Sequence, residues 1–139
     1  MERIRREQGP VGGLIHLLPL RGGAPLNELD LAGWRQRLAV EVKGFFYLLQ
    51  ALTADLKAAT GEKSWVAAAT RLGWASSYQA LASSSGEPQF FPGQGGVAGL
   101  IKTLAREMPM AVCKAVDCDP RVPVSAIADN LVKELTIDD

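Results

Sequence analysis

Three short apolar runs punctuate the chain. Leu14-Ile15-His16-Leu17-Leu18 is bounded by Gly12-Gly13 and Pro19, Trp65 to Thr70 forms the second run, and Ala111 to Val116 the third. Nearly continuous apolar runs of this length suit strands covered on both faces, as in a parallel sheet. Between and after them the spacing turns helical. Trp34, Leu38, Val42, Phe45, Leu49, Leu52 and Leu56 recur at steps of four and three, which sets all seven on one stripe of a long amphipathic helix. Asp30 is placed to cap its N-terminus, and Gly61 stands where a C-terminal glycine stop belongs. A second helix is expected from about Gln94 to Met108, with Val97, Ile101, Leu104 and Met108 facing inward and Pro109 ending it. A third, near Val124 to Leu135, turns Ile127, Leu131 and Leu135 to the core.

Strand and helix alternating in this way imply right-handed crossovers and a parallel sheet. The fold class is therefore α/β: a truncated Rossmann-like three-layer sandwich with a short parallel sheet. Residues 1–139 form one domain, interrupted by a long loop at about 74–92. That stretch holds Ser83-Ser84-Ser85-Gly86, Pro88 and Pro92, which break both periodicities. No internal repeat and no separable second domain is visible.

Composition narrows the partners. Hydrophobic residues make up 47% and charged residues 22%, which gives a chain able to bury a core without metals or disulfides and argues against disorder. Fifteen basic residues balance fifteen acidic ones, so no nucleic-acid partner is implied. Arg3, Arg5 and Arg6 read as a solvated end. Cys113 and Cys118 match neither a zinc site nor a disulfide framework, and their odd spacing points them to opposite faces of a strand. They read as free thiols of a reducing compartment. The run Gly13 to Leu20 is too short to span a bilayer, and no cleavage site follows Met1 to Gln8, so the expected location is cytoplasmic, with no membrane partner.

Few residues offer chemistry. Gly93-Gln94-Gly95-Gly96-Val97-Ala98 fits a relaxed dinucleotide fingerprint and opens a helix, with Asp117 further on as a possible ribose ligand. The fingerprint needs a strand directly before it, whereas Gly86-Glu87-Pro88-Gln89 leads in; a flexible, glycine-rich start to the helix is the better reading. His16, the single histidine, has no second metal ligand and no nucleophile elbow beside it, so it reads as an ordinary buried side chain. Asp117 and Asp119 flank Cys118 where two carboxylates can work as an acid–base pair. They read instead as residues that end a strand.

The order of elements resembles the ketoreductase region of type I polyketide synthases, within the short-chain dehydrogenase/reductase superfamily. Gly13 to Leu20 is similar to the strand before that region's long helix, and Leu48-Leu49-Gln50-Ala51-Leu52 to its L-x-Q-A-L segment. Ser64 to Arg71 resembles its W-V-x-T-R strand, Gly95 to Pro109 its GL-x-R/K-x-x-x-x-E-x-P helix, and Ala115-Val116-Asp117 its x-V-D strand. The match runs from about Pro10 to Leu135.

That region has a catalytic half, which reduces a β-ketoacyl thioester with NADPH, and a structural half that binds no cofactor. The resemblance places Glu41 at the catalytic Asn/Lys position, Thr70 at the serine, Phe90 at the tyrosine and Gln94 at its Lys/Asn partner. A tyrosine must donate a proton while an adjacent cation lowers its pKa. Phenylalanine has no hydroxyl, glutamine no charge, and Glu41 would oppose a phenolate. The resemblance therefore implies a structural, non-catalytic part of a ketoreductase region in a polyketide synthase or related fatty-acid-synthase-like multienzyme. It implies no catalytic, cofactor-binding or metal-binding residues in this chain, and NADPH only in a parent carrying the catalytic half. The alternative is an NADPH-dependent β-ketoacyl reductase fragment acting on carrier-bound polyketide intermediates, with Tyr78 as proton donor. The family's structural half starts with earlier strands, so a trimmed fragment is expected. Its partners would be the catalytic half and other domains of the parent megasynthase. The strand Leu14 to Leu18, left at an edge, is expected to pair with that parent or with a second copy.

Overall fold

A computed structural model describes residues 2–24, 26–59, 64–73, 91–119 and 121–136. Three strands, β1 (Gly13–His16), β2 (Trp65–Thr70) and β3 (Val112–Asp117), form one parallel sheet in the order β1-β2-β3. Gly13 pairs with Trp65 and His16 with Ala68; Trp65 pairs with Val112 and Thr70 with Asp117. The central strand is Trp-Val-Ala-Ala-Ala-Thr, and its last five residues are buried. Small side chains suit a strand covered from both sides, because helices pack close on each face.

The helices are α1 (Glu2–Gln8), α2 (Leu31–Arg37), α3 (Gly44–Ala58), α4 (Gly95–Glu107) and α5 (Val124–Thr136). On one face, Phe45, Leu49, Leu52 and Leu56 of α3 and Val97 and Ile101 of α4 close over Val66 and Ala68 of β2, together with Met108. On the other, Leu131 and Ile127 of α5 pack with Ala69, Val116, Cys118 and Leu20. Helices therefore lie on both faces of a short parallel sheet. This is the truncated Rossmann-like, three-layer α/β architecture that the apolar pattern predicts.

The long helix starts as expected: the Asp30 carboxylate accepts from the Gly33 N–H at 2.7 Å. It then departs from a single α-helix. Leu38–Lys43 winds as a π-helix, and the Gly44 N–H reaches back to the Ala39 carbonyl before α3 continues. Gly61 lies outside the described residues, as does most of the 74–92 loop, whose last two residues, Phe91 and Pro92, lead into a 3-10 turn over Pro92–Gln94.

Two expectations are corrected. The first strand spans Gly13–His16, not Leu14 to Leu18, because Leu18–Arg21 turns into a 3-10 helix with Pro19 in its first positions. Proline cannot extend a strand ladder and sits readily at a helical first turn. Arg5 is not a solvated end either. Its guanidinium donates to both carboxylate oxygens of the buried Asp55, at 3.0 and 2.9 Å, and to the Ala51 carbonyl at 2.8 Å. Nε is shared between the two carboxylate oxygens and Nη2 holds the carbonyl, which pins α1 against α3. The two cysteines do face opposite ways: Cys113 packs with the first cluster and Cys118 with the second, both as free thiols. Among the described residues, no helix is long and apolar enough to cross a membrane.

Candidate functional site

The carboxyl ends of β1 and β2 meet the π-helical turn and the start of α4. At this junction the fold brings together Glu41 and Gln94, two of the four positions that the resemblance singles out. Gln94 is 1% exposed. Its amide Nε2 donates to Glu41 Oε2 at 2.9 Å and to the Pro19 carbonyl at 3.0 Å, while its Oε1 accepts from the Arg71 N–H at 2.8 Å. Arg37 Nε donates to the other Glu41 oxygen at 2.8 Å, one helical turn earlier on the same segment. Both carboxylate oxygens and all three of these amide valences are engaged. Among the described residues, no buried side-chain nitrogen or oxygen lacks a partner, as a low-dielectric interior requires.

Arg37 is held further by stacking. Its guanidinium carbon lies 4.2 Å from the centroid of the Phe91 ring, which meets Trp34 edge-on at 4.7 Å. His16 closes the arrangement from β1. Its Nε2 lies 2.8 Å from the Glu41 backbone carbonyl, and its ring stacks on Phe45 at 4.3 Å and 11°. A carbonyl only accepts, so Nε2 carries the proton. Burial pushes the His16 pKa below its ordinary value of 6.5, against the upward pull of that hydrogen bond and the Glu41 charge. His16 is thus the buried, hydrogen-bonded side chain expected, and among the described residues no cluster of three potential ligands could hold a metal.

Thr70 sits apart from this network. Its hydroxyl donates to Asp117 Oδ1 at 2.8 Å, and the same oxygen accepts from the Leu72 N–H at 2.8 Å. Asp117 thereby ties the end of β3 to the end of β2. Asp119 pairs instead with Arg121 at 2.6 Å, which holds its half-exposed carboxyl down to about 2. The two carboxylates do not share an acid–base site. Phe90 and Tyr78 lie outside the described residues.

Two of the three fingerprint glycines have a packing explanation, while a Cβ on Gly95 would meet nothing within 4 Å. A Cβ on Gly93 would fall 2.5 Å from the Phe91 ring and 2.9 Å from Leu38, and one on Gly96 would fall 3.0 Å from Val42. Gly93 and Gly96 let the start of α4 approach the π-helical turn closely, and a side chain at either would require its neighbours to shift.

Arg37, Arg71 and Asp55 carry weight that the sequence pattern does not reveal. A signal existed for Glu41 itself: it lies three residues after Leu38 and four before Phe45, on the buried stripe. An acid inside an apolar stripe requires a cation or amide partner.

No family model matches the sequence, and no curated protein does. Among solved structures the chain is similar to the alcohol dehydrogenase from the archaeon Thermococcus sibiricus, solved in complex with 5-hydroxy-NADP. The TM-score is 0.68 at 15% sequence identity, and the alignment covers 99% of this chain and 62% of that one. The likeness shows a Rossmann-like fold, and this chain spans 62% of that neighbour's length. A shared fold does not carry a shared activity.

Proposed function

We propose that the chain is the structural, non-catalytic part of a ketoreductase region in a cytoplasmic polyketide synthase or related multienzyme. The observation that supports this reading is the direct hydrogen bond between Glu41 and Gln94. In the family these positions carry groups that position a proton relay and lower a tyrosine pKa. Here they hold each other, and their remaining valences go to Arg37, Pro19 and the Arg71 backbone. Thr70, at the serine position, turns its hydroxyl to Asp117. A carboxylate and an amide locked together offer no cation to stabilise a phenolate. In this reading NADPH belongs to the catalytic half of the parent, which packs on this layer.

The rival reading, an NADPH-dependent β-ketoacyl reductase fragment, draws support from the fold shared with an alcohol dehydrogenase solved with an NADP analogue. One experiment separates the two. NADPH fluorescence is titrated against the chain, and oxidation of NADPH is followed with a β-ketoacyl thioester. No saturable binding up to high micromolar protein and no turnover are expected. Micromolar binding with turnover would establish the reductase.

A further inference from the structure

A cleft remains open beside the Glu41–Gln94 pair, at the carboxyl ends of the strands, and its lining is cationic. It encloses about 150 Å³ between Gly22-Gly23, Arg37, Arg71, Phe91 and Gln94. The turn after β1 shapes it. Gly22 has a φ of +72°, a conformation that glycine adopts freely and side chains rarely do. A Cβ there would stand 3.0 Å from the Arg71 guanidinium, and one on Gly23 would stand 3.2 Å from that of Arg37. The two guanidinium groups thus lie against adjacent glycines, and the space that side chains would fill is left to the cleft.

Both arginines are held in place. Arg71 NH1 donates to the Leu20 carbonyl at 3.2 Å, and Arg37 is fixed by Glu41 and by the Phe91 ring. Among the described residues, Arg71 forms no ion pair with a carboxylate. Among the described residues no carboxylate lines this cleft, and both oxygens of the nearby Glu41 are already engaged. A second hollow of about 380 Å³ shares Gly22, Gly23 and Arg37 and extends past Arg21 to Leu18, Leu29 and Val40. Its size falls within the range of roughly 300–1,000 Å³ usual for small-molecule sites.

We propose that this cleft binds the phosphate of a small phosphate monoester, with Arg71 and Arg37 as its donors and the Leu18, Leu29 and Val40 side of the adjoining hollow as the seat of its organic part. Guanidinium forks match phosphate oxygens, and preordered ones lose little freedom on binding. Its test requires neither nucleotide nor turnover.

The test uses the full chain, isotopically labelled, with inorganic phosphate and phenyl phosphate as probes and phenol as the neutral control. Amide shifts should move saturably at Gly22, Gly23, Ala24 and Arg71. Phenyl phosphate should bind more tightly than phosphate, and phenol should not bind. Arg71→Gln should weaken phenyl phosphate at least tenfold, Arg71→Lys should restore part of it, and the exposed Arg106→Gln on α4 should change nothing. If Arg71→Gln does not fold, Arg21→Gln at the rim of the hollow replaces it, with at least threefold weakening expected. Shifts scattered over the surface, no saturation, or affinity unchanged in the folded Arg71 or Arg21 variant would overturn the proposal.

Discussion

Truncating Gln94 to alanine is the sharpest probe of the buried network. The side chain is 1% exposed and makes three hydrogen bonds: to the Pro19 carbonyl, to Glu41 Oε2, and from the Arg71 N–H. Alanine leaves a carbonyl, a carboxylate oxygen and an N–H without their partner. Each orphaned buried group costs about 1–3 kcal/mol, with charged groups at the upper end. A plain sum would reach roughly 3–9 kcal/mol, but the neighbouring cleft admits water to part of the site. The loss should therefore settle at about 3–5 kcal/mol, among the larger effects of single substitutions. Gln94→Glu should be no better, since it keeps the acceptor for Arg71 and turns both donors into acceptors facing Glu41 and Pro19. Urea unfolding followed by tryptophan fluorescence measures this, with exposed Gln36→Ala as the reference. A Gln94→Ala midpoint within about 0.5 kcal/mol of the wild type, at unchanged slope, would refute the account of the network.

Three further outcomes are expected. Phe45→Ala and Leu49→Ala, in the cluster beneath α3, should each lose about 2–5 kcal/mol through lost burial and an unfilled cavity; little change in thermal denaturation would show that the helix face is misassigned. Because burial lowers the His16 pKa in the fold, the unfolded chain takes up that proton first; its stabilising contribution is complete above about 6.5 and declines as pH falls below that value. His16→Gln should flatten that decline in urea midpoints measured from pH 7.5 to 5, and identical slopes in both proteins would rule out His16 as its source. At the sheet edge, Ile15 of β1 is 41% exposed, so the wild type should self-associate in sedimentation and Ile15→Lys should reduce this; a wild type that stays monomeric at high concentration sinks the edge-pairing proposal.

Periodicity carried the fold because periodicity reports burial. The three strands, the stripe from Trp34 to Leu56, the Asp30 cap and the inward faces of α4 and α5 all repeat an apolar signal that survives in one dimension. What stayed hidden were single polar contacts between distant residues. Arg5 and Asp55 are 50 positions apart and Gln94 and Glu41 are 53 apart, and no spacing rule links either pair. The π-helical turn was equally silent, since its widened winding leaves the apolar stripe on both sides intact. The resemblance reached part of the site by another route. It fixed the positions of Glu41, Thr70 and Gln94 but not their partners, and only the structure reveals that Thr70 belongs to a separate contact with Asp117.

The hidden contacts explain what the buried polar residues do. A buried ion pair is poor support for net stability, because desolvation offsets most of its attraction, yet losing one member is costly. Such a pair is therefore better understood as a device for geometry. Gln94 bonds to the exit of β1 at Pro19, to the π-helical turn at Glu41 and to the exit of β2 at Arg71, all from the start of α4. One amide thereby sets the relative positions of four segments that apolar packing alone would let slide. Arg37 adds the Phe91 ring and the glycine turn to the same joint. The carboxyl ends of the strands, where open α/β sheets commonly receive their ligands, are here joined by one buried polar network.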